Sequence, residues 1–249
     1  MIFGGGWGIV GGMNLNDTTA DVGGNLEAVR RRIAEACARC GRSPEEVRLV
    51  AVSKTYSAAA VREAAACGQR IFGENRVQEA AVKVPMCPGT LEWHLIGHLQ
   101  SNKAGAAVRL FDWVHSVDSA KLLRMLEGHA AAEGKRLNVL LEVNVSGEMS
   151  KSGAAPEAVP ELLAMAGELR NVEIRGLMTV PPIAENPEEA RPHFRRLREL
   201  RDAWAAEYGV PMEELSMGMT HDMEVAVEEG ATFVRVGTGI FGARDYGGA

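Results

Sequence analysis

Four cysteines among 249 residues, at positions 37, 40, 67 and 87, are too few and too scattered for a disulfide scaffold. Cys37 and Cys40 have the spacing of a metal or redox pair, but no second Cys or His pair completes a zinc site around them. A reduced, cytoplasmic protein is expected. No run reaches the roughly 18 apolar residues that a membrane-crossing helix needs. The glycine-rich first dozen residues lack the basic start and apolar core of a signal peptide. Positive charge is not in excess either. The net charge is −6, and the arginine-rich segment 191–201 is interleaved with Glu199 and Asp202, so it reads as a solvated helix face and no nucleic-acid partner is expected.

What the chain does have is alternation. Residues 1–23 read as a flexible N-terminal extension, with Met13 as an alternative start, and residues 24–249 as one domain. Leu26, Val29, Ile33, Ala36 and Cys37 then recur at helical spacing until Gly41 ends the helix. Strands are expected over 48–53, 70–72, 92–96, 113–116, 138–144, 173–178, 214–217 and 232–236. Helices are expected between them over 58–66, 75–82, 102–108, 119–132, 156–169, 187–208 and 222–229, with a short turn at 239–242. Eight strand–helix units after one leading helix, in about this length, suit a single (β/α)8 TIM barrel. A doubly wound open sheet is the alternative, because periodicity does not show closure.

In a barrel, chemistry gathers at the C-terminal ends of the strands. The stretch Val47–Lys54 is a β-branched run that ends in a lysine. A partly desolvated amine there can lose its proton near neutral pH and attack a carbonyl, although a lysine at a strand end can also simply snorkel. Glu74 and Asn75 follow the second strand, Glu142 and Asn144 close the fifth, and Met178 and Thr179 end the sixth. The turns after strands seven and eight carry Ser216, Gly218, Gly237, Thr238 and Gly239, hydroxyls and glycines that can cradle a phosphate. Arg235 beside them can face that phosphate or a ring nitrogen, or can be a barrel arginine paired with Glu142 or Glu173. A lysine, a phosphate cradle and an arginine between them describe pyridoxal 5′-phosphate (PLP).

Several stretches also resemble a known family. They are Val52-Ser53-Lys54-Thr55, Phe72 through Glu79, His94 through Lys103, and Asn144-Val145-Ser146 with Glu148, Lys151 and Gly153. Gly176 through Thr179, Ser216 through Met219 and Val234 through Thr238 complete the set. Together they resemble the pyridoxal phosphate homeostasis proteins over about residues 25–242.

The resemblance implies a barrel like the N-terminal domain of alanine racemase, with PLP held as a Schiff base on Lys54. It implies phosphate contacts near Ser216, Gly218, Gly237 and Thr238, Arg235 facing the pyridine nitrogen, and Asn75 and Met178 beside the cofactor. Tyr56-Ser57 departs from the usual Lys/Val-Pro, and Thr220 stands where serine is common. Lys103 is considered as the holder of a second, loosely bound PLP. His98, His115 and His221 are read as loop or helix-cap residues rather than bases.

The expected function is intracellular PLP homeostasis with little turnover. The expected partners are PLP, amino acids and PLP-accepting enzymes, and the expected state is a monomer. A racemase needs a base on each face of the substrate carbon, and none of Tyr56, Tyr208 and Tyr246 is a clear second base. The alternatives are a PLP-dependent amino-acid racemase on a minimal barrel, and a phosphosugar-type barrel enzyme that uses Lys54 without PLP.

Overall fold

The computed structural model describes residues 20–148 and 152–243. Lys151, Tyr246 and most of the extension read over 1–23 lie outside these residues.

The leading helix α1 (Val22–Cys40) begins four residues before the apolar spacing that starts at Leu26. Asp21 accounts for this, since its carboxylate accepts the N–H of Gly24 at 2.9 Å and caps the first turn. Gly41, at φ 71°, ends the helix in the left-handed conformation that a residue with a Cβ adopts reluctantly.

Eight parallel strands follow: β1 (Arg48–Val52), β2 (Ile71–Glu74), β3 (Glu92–Leu95), β4 (Trp113–Val117), β5 (Leu137–Glu142), β6 (Val172–Met178), β7 (Glu214–Met219) and β8 (Phe233–Val236). β1 pairs with β8, and the barrel is closed in sequence order. The open-sheet alternative is thereby excluded. Their near-continuous burial is what parallel strands covered on both faces require.

The intervening helices are α2 (Ala58–Ala66), α3 (Val77–Lys83), α4 (Ala104–Leu110), α5 (Ala120–Glu133), α6 (Val159–Ala164), α7 (Arg191–Tyr208), α8 (Met223–Glu228) and the short α9 (Thr238–Phe241). One helix expected over 156–169 is instead three pieces, because Pro160 supplies no N–H and α6 is flanked by 3-10 turns.

The apolar core lies mainly between the strands and the helical ring. The barrel interior holds a smaller cluster, Val50, Trp113, Leu140, Met178 and Phe233, beside polar residues. α1 covers the outside of α8 and α9. Asn25 donates to the carbonyl of Ile240 at 2.9 Å, and Arg32 donates to the carbonyl of Thr220 at 3.0 Å while pairing with Glu224 at 2.6 Å. The helix that precedes the barrel thus supports the loops after β7 and β8.

Leu26 is fully buried under that helix. Leu26→Ala is expected to cost about 2–5 kcal/mol in urea unfolding, the usual range for emptying a core site.

Candidate functional site

Lys54 leaves the barrel two residues past Val52, on the rim shared with β8. The register Ala51↔Val236 sets Val52 beside Gly237, where a Cβ would lie 3.2 Å from the Val52 carbonyl oxygen. Ser53, Lys54, Thr55 and Tyr56 form a turn closed by the Tyr56 N–H donating to the Ser53 carbonyl at 3.1 Å. Thr55 has φ 70°, the position that a type II turn gives to glycine. A β-branched residue held there costs on the order of 1–3 kcal/mol. Tyr56 donates to the carbonyl of Gly242 at 2.7 Å and stacks on Phe241 at 4.9 Å, which joins the Lys54 loop to the segment after β8.

The loops after β7 and β8 meet at Gly239, where a Cβ would lie 3.0 Å from a methyl of Thr220. Gly218 has φ 89°, and a Cβ there would come within 2.4 Å of Ala226, so this turn needs glycine. Thr220, Gly237, Thr238 and Gly239 lie on these adjoining loops, and all are at least partly exposed.

Ser216 does not join them. It is fully buried in β7, accepting from Arg235 Nη1 at 2.6 Å and bonded to His115 Nδ1 at 2.9 Å. Its hydroxyl is committed to the barrel interior, and the loop hydroxyls are those of Thr220 and Thr238.

Arg235 is 4% exposed and makes a second bond, from Nη2 to the Thr179 carbonyl at 2.9 Å. Among the described residues no carboxylate ion-pairs with it. Glu173 is paired with Arg175 at 2.8 Å instead. Burial lowers the Arg235 pKa to about 10, opposed by the charges of Asp222 and Glu142, and it remains a cation at neutral pH.

His115 corrects the reading of it as a loop or cap residue. It lies in β4, fully buried, with Nε2 bonded to His94 Nδ1 at 2.9 Å. His94 Nε2 reaches Glu92 at 2.7 Å. Burial pushes both imidazole pKa values down, so both rings are neutral. The bond from His94 holds the Glu92 carboxyl below the usual range, so Glu92 is an acceptor only.

These facts fix the direction of every bond. His94 donates from Nε2 and accepts at Nδ1; His115 does the same; Ser216 donates its proton and accepts from Arg235. A single hydrogen-bonded column therefore runs from Glu92 at the N-terminal mouth to Arg235 near the C-terminal one.

Glu142 closes β5 on the same inward parity as Leu140. It is 5% exposed, and its Oε2 is buried without a hydrogen-bond partner. Burial, reinforced by the charge of Asp118, raises its pKa to about 7 against the attraction of Arg235.

Met178 lies in the interior cluster next to these groups. Asn75 lines a cleft of about 560 Å³ after β2 and β3, together with Arg76, Gly97, His98 and Lys103. His98 and His221 are exposed loop residues, the latter bonded to the Glu185 carbonyl at 3.0 Å.

These residues fit PLP. An amine at the rim, partly exposed glycines and threonines on adjoining loops, an arginine without a carboxylate partner and an orphaned carboxyl oxygen converge on one end of the barrel. Sequence reading passed over His94, His115 and Glu92 as a set. Their signal was available in the inward i, i+2 parity of Glu92 and His94, and in a histidine on the neighbouring strand.

Fold and site define the class: a PLP-type barrel of the kind that opens alanine racemase. The profile of the family described as "Alanine racemase, N-terminal domain" matches residues 24–245. The pyridoxal phosphate homeostasis protein of Aquifex aeolicus is 47% identical over 222 residues, covering 89% of this chain and 97% of that protein. The protein of the same name from Pseudomonas aeruginosa is 49% identical over 225 residues, covering 90% and 96%. The structure of PipY from Synechococcus elongatus PCC7942 with PLP bound superposes with a TM-score of 0.78 at 39% identity, covering 89% of this chain and all (100%) of that one. The chain belongs to the pyridoxal phosphate homeostasis protein family.

Two measurements check the electrostatics. Nitrogen-15 NMR is expected to find His94 and His115 as neutral Nε2–H tautomers at pH 7 and above. For Glu142 the folded pKa of about 7 exceeds the reference value of 4.5, so its contribution to stability falls as pH rises from about 4.5 to about 7. Between pH 5 and 8, Glu142→Gln should lose about 2–3 kcal/mol less stability than the parent in denaturant titrations.

Proposed function

We propose that the chain binds PLP and serves intracellular PLP homeostasis, holding the cofactor reversibly with little turnover. The observation that carries this reading is Arg235, a buried cation that among the described residues bonds to Ser216 and the Thr179 carbonyl and to no carboxylate. A guanidinium has five N–H donors, so donors are left for an acceptor in the mouth of the barrel.

In this reading Lys54 would supply the amine that holds PLP through its aldehyde as a Schiff base, with release of water. Thr220, Thr238 and the backbone at Gly218, Gly237 and Gly239 take the phosphate. Asn75 and Met178 lie beside the ring, and Arg235 donates to the pyridine nitrogen. Ser216 contributes by orienting Arg235 rather than by touching phosphate.

When bound, PLP supplies an aldehyde that condenses with amines and a ring that can withdraw electrons. Arg235 weakens the second property. A donor that keeps its own proton favours an unprotonated ring nitrogen, which is a poorer electron sink. That supports storage over carbanion chemistry.

The unit that binds is residues 24–249, following the extension at 1–23. It acts as a monomer in the cytoplasm and exchanges PLP with amino acids and PLP-accepting enzymes. Among the described residues no helix is long and apolar enough to cross a membrane.

One observation favours a second reading, an amino-acid racemase. Glu142, which titrates near neutrality with an unpaired oxygen, is the kind of group that moves a proton at a substrate carbon. Exchange of the Cα hydrogen of an amino acid in deuterated water, lost in both Lys54→Ala and Glu142→Gln, would establish it.

The test of the main reading is an absorption spectrum before and after borohydride, followed by peptide mass mapping. A yellow band trapped as a phosphopyridoxyl group on Lys54, and absent from Lys54→Ala, is expected. A colourless protein that stays unmodified after incubation with PLP would overturn the reading.

A further inference from the structure

Three charged side chains are buried directly beneath Lys54. Lys83, at the end of α3, is 0% exposed, Glu74 at the end of β2 is 0% exposed, and Glu79 on α3 is 5% exposed. Lys83 Nζ donates to Glu74 Oε1 at 2.7 Å, to Glu79 Oε1 at 2.8 Å and to the backbone carbonyl of Ser53 at 2.7 Å. The Ser53 hydroxyl donates to the same Glu74 oxygen at 2.6 Å. The backbone N–H of Thr55 donates to the same oxygen of Glu79.

The residues before and after Lys54 are thus held by one cluster, one at its carbonyl and hydroxyl, the other at its N–H. Those are also the residues of the turn that puts Thr55 at φ 70°. Thr55 is the one residue other than glycine with a positive φ among the described residues. A buried ion cluster is a poor source of stability, because desolvation offsets most of the attraction between its members. Strain of this kind persists only where the surroundings enforce it. Lys83 and Glu79 contact the two peptide groups that would otherwise relax.

We infer that Lys83, Glu79 and Glu74 are positioning residues for Lys54. They force the Ser53–Tyr56 turn into the conformation that presents the Lys54 amine at the barrel mouth. The inference rests on Lys54 being the anchoring amine of the proposed function.

Two readouts separate that premise from the inference itself. The first is the rate at which PLP becomes borohydride-fixed on Lys54. The second, which involves no cofactor, is the rate of Lys54 acylation by acetic anhydride relative to surface lysines, mapped by mass spectrometry. If the parent protein fixes no PLP, the Lys54 reading fails, and the acylation rates still decide the positioning.

Lys83→Met and Glu79→Ala are expected to slow both modifications of Lys54 by tenfold or more while circular dichroism shows an intact fold. Thr55→Gly placed in the Glu79→Ala background is expected to recover most of the loss, since glycine holds a positive φ without support. If Lys83→Met does not fold, Glu79→Gln carries the test, because it keeps the shape but replaces a charge-assisted bond with a weaker neutral one. A threefold or larger slowing is expected there. Unchanged Lys54 reactivity in the folded variants, with only a lower melting temperature, would overturn the inference. So would failure of Thr55→Gly to rescue, because both results describe a cluster that merely fastens α3 to the barrel.

Discussion

The interior of this barrel is arranged around a cation, Arg235, that among the described residues has no carboxylate ion-paired to it. Taking a guanidinium out of water costs several kcal/mol even after the surroundings relax. Arg235 meets that cost with a hydroxyl and a carbonyl rather than a carboxylate. What makes two neutral acceptors sufficient is the column behind them. Each residue from Ser216 through His115 to His94 turns its acceptor atom toward Arg235 and its donor toward the carboxylate of Glu92. Aligned dipoles polarise one another, so the charge of Glu92 is felt at Arg235 across the barrel. The same alignment requires both imidazoles to stay neutral, which their burial ensures.

The opposite side of the mouth follows a different logic. Lys54 gains its geometry from strain rather than from a conjugated set of dipoles. Ion pairs buried under the rim hold a threonine where a glycine would sit more easily. Both cations of the site are therefore positioned from behind, by groups a ligand does not reach. One support lies inside the barrel and the other lies between β2 and α3. α1 adds a third from outside, through Arg32 on the carbonyl of Thr220. The mouth is thus built before any ligand arrives, which is what lowers the cost of ordering upon binding.

The fold was legible because parallel strands buried on both faces leave uninterrupted apolar runs, and helices between them leave a different period. That Lys54, Arg235 and the glycines near the ends of β7 and β8 share one end of the barrel was legible, because the C-terminal ends of parallel strands lie together. The supporting residues were not. Lys83 and Glu79 stand four apart on α3, a spacing that on most helices marks an exposed surface pair; only the tertiary fold reveals that both are buried. Ser216 groups with the loop hydroxyls in the sequence although the strand expected over 214–217 contains it; only the fold shows its side chain turned inward to Arg235 and His115. His115 falls within the strand expected over 113–116, and only the fold shows that its ring turns into the interior beside His94 and Ser216. Arg235 could not be resolved among four partners, since choosing required knowing that Glu173 is paired with Arg175.

Holding PLP and exploiting it make opposite demands on the same atoms. With a pKa of about 10, Arg235 keeps its proton at neutral pH and acts only as a donor. A ring nitrogen facing it must then accept, unprotonated, and its pull on electrons is correspondingly weak. Glu142 is placed to modulate the electrostatics from the far side of the mouth. Neutral, it leaves the field of Arg235 undiminished; ionised, it partly cancels that field. Its titration falls near pH 7 because burial and Asp118 oppose ionisation while Arg235 favours it. A dianionic phosphate brought into the mouth adds negative charge near the same carboxyl and pushes that balance further toward the neutral acid. Binding of the ligand and retention of a proton by Glu142 are therefore linked, and the site grips its anion more firmly when that carboxyl is neutral. In the proposed reading of a reversible holder, that linkage makes affinity the quantity these buried groups would control.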